Sequence, residues 1–242
     1  MKKNLLLVLA ASMLILSSCA FNTPGAYNAK QPYAVQKEGA WSECACGAFS
    51  MAYYLAENGY IPTRKVESKA KALYKKVIFD KSSGMWPYSD PRKIKKEISK
   101  YAAKAEFRMH KPTEAQIEMG RDPDNYYNLS DKEAAEVFLY EIAKKLNYSD
   151  SEMIDAPDFA TSLAKGEYVI EIIVTDGDVT LPALYPDDFW ERNSLHYVLT
   201  YWKGEVLYTL DPGRGLEEPR SNFIDGTTES WHFCNGGVFI KP

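Results

Sequence analysis

The sequence predicts an α+β chain, with helices gathered in its first part and antiparallel strands in its last. Three observations carry this. Apolar residues recur at spacings of three and four in several stretches between Cys46 and Leu146, the period of amphipathic helices. From Tyr168 onward the pattern changes to β-branched and aromatic runs, two of them joined by the turn Lys203-Gly204, a hairpin signature. No internal repeat or low-complexity tract interrupts this order, which excludes solenoids and propellers. With 45% hydrophobic and 13% aromatic residues, the roughly two hundred residues beyond the N-terminus suffice for one well-packed domain.

Lys2 and Lys3 precede an apolar run from Leu5 to Leu16, and small residues follow. That run is too short to span a bilayer and reads as a secretory signal over residues 1–18. Leu16-Ser17-Ser18-Cys19 resembles the lipobox of bacterial lipoproteins. The resemblance implies cleavage before Cys19 and lipid on that residue, hence an anchor in the cell envelope. Ala20, and no Asp, follows Cys19, which implies the outer membrane in a Gram-negative cell. Without residues 1–18 the chain holds 27 basic against 33 acidic residues, a net charge of −6. That balance argues against nucleic acid, and no basic stripe was expected elsewhere. Residues 19–40 lack periodicity and include Pro24, Gly25, Pro32 and Gly39, as a tether would.

The first helix is expected from Cys46 to Asn58-Gly59, the glycine ending it. Thr63 is positioned to cap a second through Val77, with Arg64, Lys69, Lys71, Lys75 and Lys76 on its solvated face. Asp90-Pro91 opens a third, since proline at the first helical position loses no hydrogen bond. Lys104 to His110 alternates like a strand, and Lys111 to Asn128 reads as a polar surface loop. Ser130 with Glu133 forms a capping box for a helix to about Leu146. A short helix is expected from Pro157 to Lys165. Tyr168 to Val174 is nearly continuous in apolar residues, as in a strand buried on both faces. His196 to Trp202 pairs with Glu205 to Leu210, and Val238 to Lys241 ends the chain as a last strand.

Chemistry concentrates on Cys46, His196 and Asp211. A cysteine in the first turn of a helix sits among unpaired N–H groups at the positive end of the dipole, which favours its thiolate. A thiolate nucleophile needs a base within hydrogen-bond reach, and the base needs an orienting acceptor. Asp211 lies 15 residues after His196, at the far end of the partner strand, so the hairpin makes the two neighbours. Each residue also has a plainer reading: Cys46 as a small buried hydrophobe, His196 as a core histidine, Asp211 as a turn former. Cys44 is an alternative nucleophile. Cys44 and Cys46 with His232 and Cys234 offer four zinc-type ligands, although the usual C-x-x-C spacing is absent. Asp122 and Asp124 lack an EF-hand pattern. Three thiols besides Cys19 suggest one disulfide outside the cytoplasm, and Cys44 with Cys234 is one pairing that leaves Cys46 reactive.

Cys46-Gly47-Ala48-Phe49-Ser50, then His196-Tyr197-Val198-Leu199, then Leu210-Asp211-Pro212-Gly213 resemble papain-like cysteine peptidases. Their bacterial branch related to bacteriocin-leader peptidases (peptidase C39-like) is the nearest in motif. The resemblance implies a papain-like fold over residues 41–242, a helical part followed by an antiparallel sheet, with an insertion near 111–150 that lengthens the Cys-to-His interval to 150 residues. It implies Cys46 as nucleophile, His196 as general base and acid, Asp211 as the group holding the imidazole, and no cofactor or metal. The implied activity is hydrolysis of amide bonds in peptides or proteins. A cell-wall peptide endopeptidase or acyltransferase, or an inactive binding lipoprotein, are the alternatives. One position departs from the pattern. The oxyanion-donating Gln expected six residues before the cysteine is Ala40, and Gln36 lies ten before.

Overall fold

Helices pack on one face of a seven-stranded, mainly antiparallel sheet, so the chain is α+β. This computed structural model describes residues 34–35, 44–83, 87–122, 124–149, 151, 154–155, 163–175, 194–224 and 232–242. The signal peptide, Cys19, most of the tether and the short helix expected at Pro157 to Lys165 lie outside the described residues.

Among the described residues the helices are α1 (Cys46–Glu57), α2 (Val66–Val77), α3 (Pro91–Ile98), α4 (Glu114–Arg121), α5 (Asp131–Lys145) and α6 (Ser221–Ile224). None is long and apolar enough to cross a membrane. α1 buries every residue from Cys46 to Leu55. Thr63 does not cap α2; it opens a single 3-10 turn, Thr63–Lys65, ahead of it. Asp90 caps α3 as expected, its carboxylate accepting the Arg92 N–H at 2.8 Å. Residues 111–128 are not simply a loop. Thr113 and Gln116 form a reciprocal capping box that starts α4, which buries Ile117. The polarity of this stretch masks the box, whose Thr and Gln stand three residues apart as a capping box requires. α5 starts at the Ser130–Glu133 box and packs on the sheet through Ala135, Phe138 and Leu139.

The strands are β1 (Lys104–Met109), β2 (Ile154–Asp155), β3 (Tyr168–Thr175), β4 (Ser194–Lys203), β5 (Val206–Asp211), β6 (Leu216–Pro219) and β7 (His232–Lys241), in the spatial order β2-β1-β7-β3-β4-β5-β6. β2 runs parallel to β1, and all other neighbours are antiparallel. β3 is central and buried on both faces. Ile170 and Ile172 join the helix-side core, while Val169 packs with Phe239 and Leu163 on the other side. That second face also buries Glu171, which pairs with Arg220 at 2.8 Å and accepts from Thr200 at 2.9 Å. The hairpin turns at Gly204-Glu205, one residue later than the expected Lys203-Gly204, because Lys203 pairs with Val206 and Gly204 supplies the left-handed conformation, φ +64°; the ladder ends at Leu199 opposite Leu210.

The domain also includes part of the segment read as tether. Ala34 is half-buried on the core, and its carbonyl accepts a hydrogen bond from the Tyr53 hydroxyl at 2.8 Å.

Candidate functional site

Three elements converge on one imidazole. Cys46 is the first residue of α1, and no side chain caps that helix and no carboxylate occupies its first turn, so the positive end of its dipole acts on the sulfur without local compensation. His196 is on β4, and Asp211 is the last residue of β5. The antiparallel register continues from Leu199–Leu210 toward a position opposite Val198 for Asp211. His196 is therefore its diagonal neighbour on the same face. His196 Nε2 and Asp211 Oδ1 are 2.8 Å apart. Cys46 is close enough to the same ring to act on it as a hydrogen-bonding and charged neighbour, and so raises the imidazole pKa.

The packing that brings α1 to β4 is built from residues around these two. Ser50, one turn after Cys46, donates to the Tyr197 carbonyl at 3.1 Å, and the Tyr197 hydroxyl donates to the Ser89 carbonyl at 2.9 Å. Tyr197 thus ties the cysteine helix, the histidine strand and the chain entering α3 into one brace. Gly47 is required where they meet, because a Cβ there would lie 2.7 Å from Ser89 Cβ and 2.9 Å from Ile94 Cδ1.

Asp211 carries more than the histidine contact. Its Oδ1 also accepts the Gly213 N–H at 2.8 Å, and its Oδ2 accepts Arg214 Nε at 3.0 Å. Burial alone pushes its carboxyl pKa up; the His196 hydrogen bond and charge, the Arg214 charge and the Gly213 N–H together hold it below the ordinary value. Burial likewise pushes His196 down, but Asp211 and Cys46 outweigh it and raise the imidazole from 6.5 to about 10. The charged imidazolium is the form this pocket favours. Tyr53, two turns after Cys46 on α1, has its hydroxyl pKa raised by burial and then by the Asp211 charge.

Cys46 is 2% exposed, His196 4% and Asp211 2%, so the group is closed to solvent as it stands. Cys46 is a free thiol. Cys44, half-buried two residues earlier, lies near the Tyr74 hydroxyl, which burial and then the charges of Cys44 and Cys46 raise to about 12. The side chains of His232 and Cys234 lie outside the described residues, and with them the Cys44–Cys234 disulfide and the zinc alternative. Among the described residues no set of three His, Cys, Asp or Glu groups is placed to hold a metal. Gln36 and Ala40 also lie outside them.

Sequence reasoning missed Arg214, Ser50 and Tyr197. Each stood within four residues of a named site residue, and Arg214 follows Asp211 at a spacing that one tight turn closes. Chemically the group is a sulfur, a proton carrier and an ionised acceptor in one line, the requirement for thiol-based acyl transfer. The chain matches no family model, and no curated protein or solved structure is detectably similar to it.

Proposed function

We propose that the chain is a papain-like thiol hydrolase that cleaves amide bonds in peptides or proteins, held in the cell envelope by lipid on Cys19. The observation that carries the reading is the single imidazole engaged by both Cys46 and Asp211. In the proposed cycle the Cys46 sulfur attacks the amide carbon and its carbonyl electrons move to oxygen. His196 gives its proton to the departing amine as the C–N bond breaks, leaving a thioester. Water then adds to the thioester while His196 takes a proton from it, and the carboxylic acid leaves with the sulfur restored. Asp211 keeps the ring oriented and its positive charge compensated throughout.

A second reading is an inactive papain-like domain used for binding. It is favoured by the near-complete enclosure of Cys46 and by Ala40 at the expected oxyanion-donor position. Alkylation separates the two. Iodoacetamide is small enough to test access, and mapping of the modified peptide identifies the cysteine. The hydrolase reading expects labelling of Cys46 at neutral pH that slows about a hundredfold in His196→Ala, the low end of the roughly 10²–10⁴ that a positioned base supplies. An inert Cys46, or equal rates in both proteins, refutes it. Mass spectrometry of the N-terminal peptide tests the anchor, with an acylated peptide beginning at Cys19 expected.

A further inference from the structure

Charge is segregated along this chain, and the fold collects it. Residues 63–104 hold 13 basic against 4 acidic residues, a net charge of +9, while the rest of the chain holds 16 against 29, a net charge of −13. Read along the sequence, the lysines of 64–76 look like one helix's solvated face, and no basic stripe was expected. Packing overturns that expectation. α2 lies against α3, Lys69 Nζ donates to the Tyr101 hydroxyl at 3.0 Å, and Glu97 is shared by Lys76 at 3.7 Å and Lys100 at 2.5 Å. The cationic rows of the two helices therefore border one another.

The acids in this region are mostly committed. Glu97 serves two lysines, Asp80 pairs with Lys93 at 3.0 Å, and Asp90 caps α3 with the Arg92 guanidinium 3.7 Å away. Arg64, Lys65, Lys75 and Lys96 are exposed, Lys95 is half-exposed, and none of the five has an ion pair among the described residues. The buried side of α3, opposite its cationic row, meets the cysteine helix. Ile94, flanked by Lys93 and Lys95, packs on Gly47, the residue after Cys46, and Tyr74 of α2 hydrogen-bonds the Pro87 carbonyl beside it at 3.0 Å. Fields from such cations act across about a Debye length, roughly 10 Å at 0.1 M salt.

We propose that the α2–α3 face steers acidic peptide segments to Cys46, so that the substrate class is an anionic peptide whose carboxylates lie along this face. The inference rests on Cys46 being the reacting sulfur. Steering of this kind raises association by about 10–10³ and falls with ionic strength.

The test compares two alkylating reagents of one chemistry and different charge, iodoacetate and iodoacetamide, on the whole chain. Rates at Cys46 are expressed as a ratio and normalised to the same ratio for a small free thiol. At low salt the normalised ratio is expected to favour iodoacetate by about tenfold, the low end of the steering range. It should collapse toward one at high salt and in the charge-reversed variant Lys75→Glu/Lys95→Glu/Lys96→Glu. The salt series shows that the preference is electrostatic, and the single exposed change Lys96→Glu, expected to lower the ratio where the His196 imidazolium is untouched, assigns it to this face even if the triple variant folds poorly; a ratio unchanged in Lys96→Glu and in the triple variant overturns the inference. A ratio near one that ignores salt overturns the inference while leaving the hydrolase reading intact. A Cys46 that neither reagent modifies overturns both. A flat ratio together with salt-sensitive binding of the chain to phosphatidylglycerol vesicles assigns the face to a membrane and overturns the peptide inference.

Discussion

Replacing Asp211 by asparagine removes one charge from a buried site while keeping the side chain's size. Three donors lose their anionic acceptor: His196 Nε2 at 2.8 Å, the Gly213 N–H at 2.8 Å and Arg214 Nε at 3.0 Å. Deleting one partner of a buried ion pair costs about 3–5 kcal/mol. Arg214 is 18% exposed and keeps Glu218 at 3.7 Å, so the lower end, about 3 kcal/mol, is expected here. For a domain of this size that corresponds to a fall of about 6–12 °C in Tm, at roughly 2–4 °C per kcal/mol. The pH dependence identifies the cause. Because the folded His196 pKa is raised from 6.5 to about 10, its stabilisation is complete below pH 6.5 and fades as pH rises through about 10. Burial opposes that rise, and the Asp211 hydrogen bond contributes most to it. The stability gap between the wild-type chain and Asp211→Asn should therefore be widest near pH 6 and narrow toward pH 10. Denaturant unfolding at a series of pH values measures it. A gap that is absent, or constant over this range, refutes the argument that a His196–Asp211 charge pair holds the site together.

Three further outcomes follow from the same packing. Arg214→Met withdraws a cation that helps keep the Asp211 carboxyl below its ordinary 3.8; the stabilisation from that lowered pKa is present above 3.8 and lost as pH falls through the folded value, so acid unfolding followed by tryptophan fluorescence should begin at higher pH in the variant, and an unchanged midpoint contradicts this. Gly47→Ala places a Cβ 2.7 Å from Ser89 Cβ, and the overpacking, about 1–3 kcal/mol, should exceed the roughly 1 kcal/mol gained in helix propensity, giving a lower Tm and slower Cys46 alkylation. Arg220→Met strands the fully buried Glu171 and is expected to cost about 3–5 kcal/mol in denaturant unfolding, much of it recovered in Arg220→Met/Glu171→Gln; a double variant no better than the single one argues against the pair.

Much of the architecture was legible because it is decided by near neighbours. The start of α1 at Cys46, the Asp90-Pro91 start of α3, the Ser130–Glu133 box and a hairpin at Gly204 depend on residues a few positions apart, and local periodicity and capping chemistry report them directly, although α1 is buried all round and not along one stripe. The His196–Asp211 contact belongs to this class too, since a tight hairpin converts 15 residues of sequence into one hydrogen bond. α4 was equally local, and only the polarity of its stretch concealed the Thr113–Gln116 box.

What the amino-acid sequence determined by itself, then, is the order of helices before strands, several of the helices, the hairpin, the thiol at a helix start and the acid beside the histidine. The tertiary structure decided what no neighbouring residue specifies: β7 inserted between β1 and β3, β2 parallel to β1, the Ser50–Tyr197–Ser89 brace, and the gathering of cations from α2 and α3 on one face. Cys46 meets His196 across 150 residues for the same reason. Such contacts depend on the burial of apolar surface between distant segments, which is non-directional along the chain and is resolved only when the whole core packs.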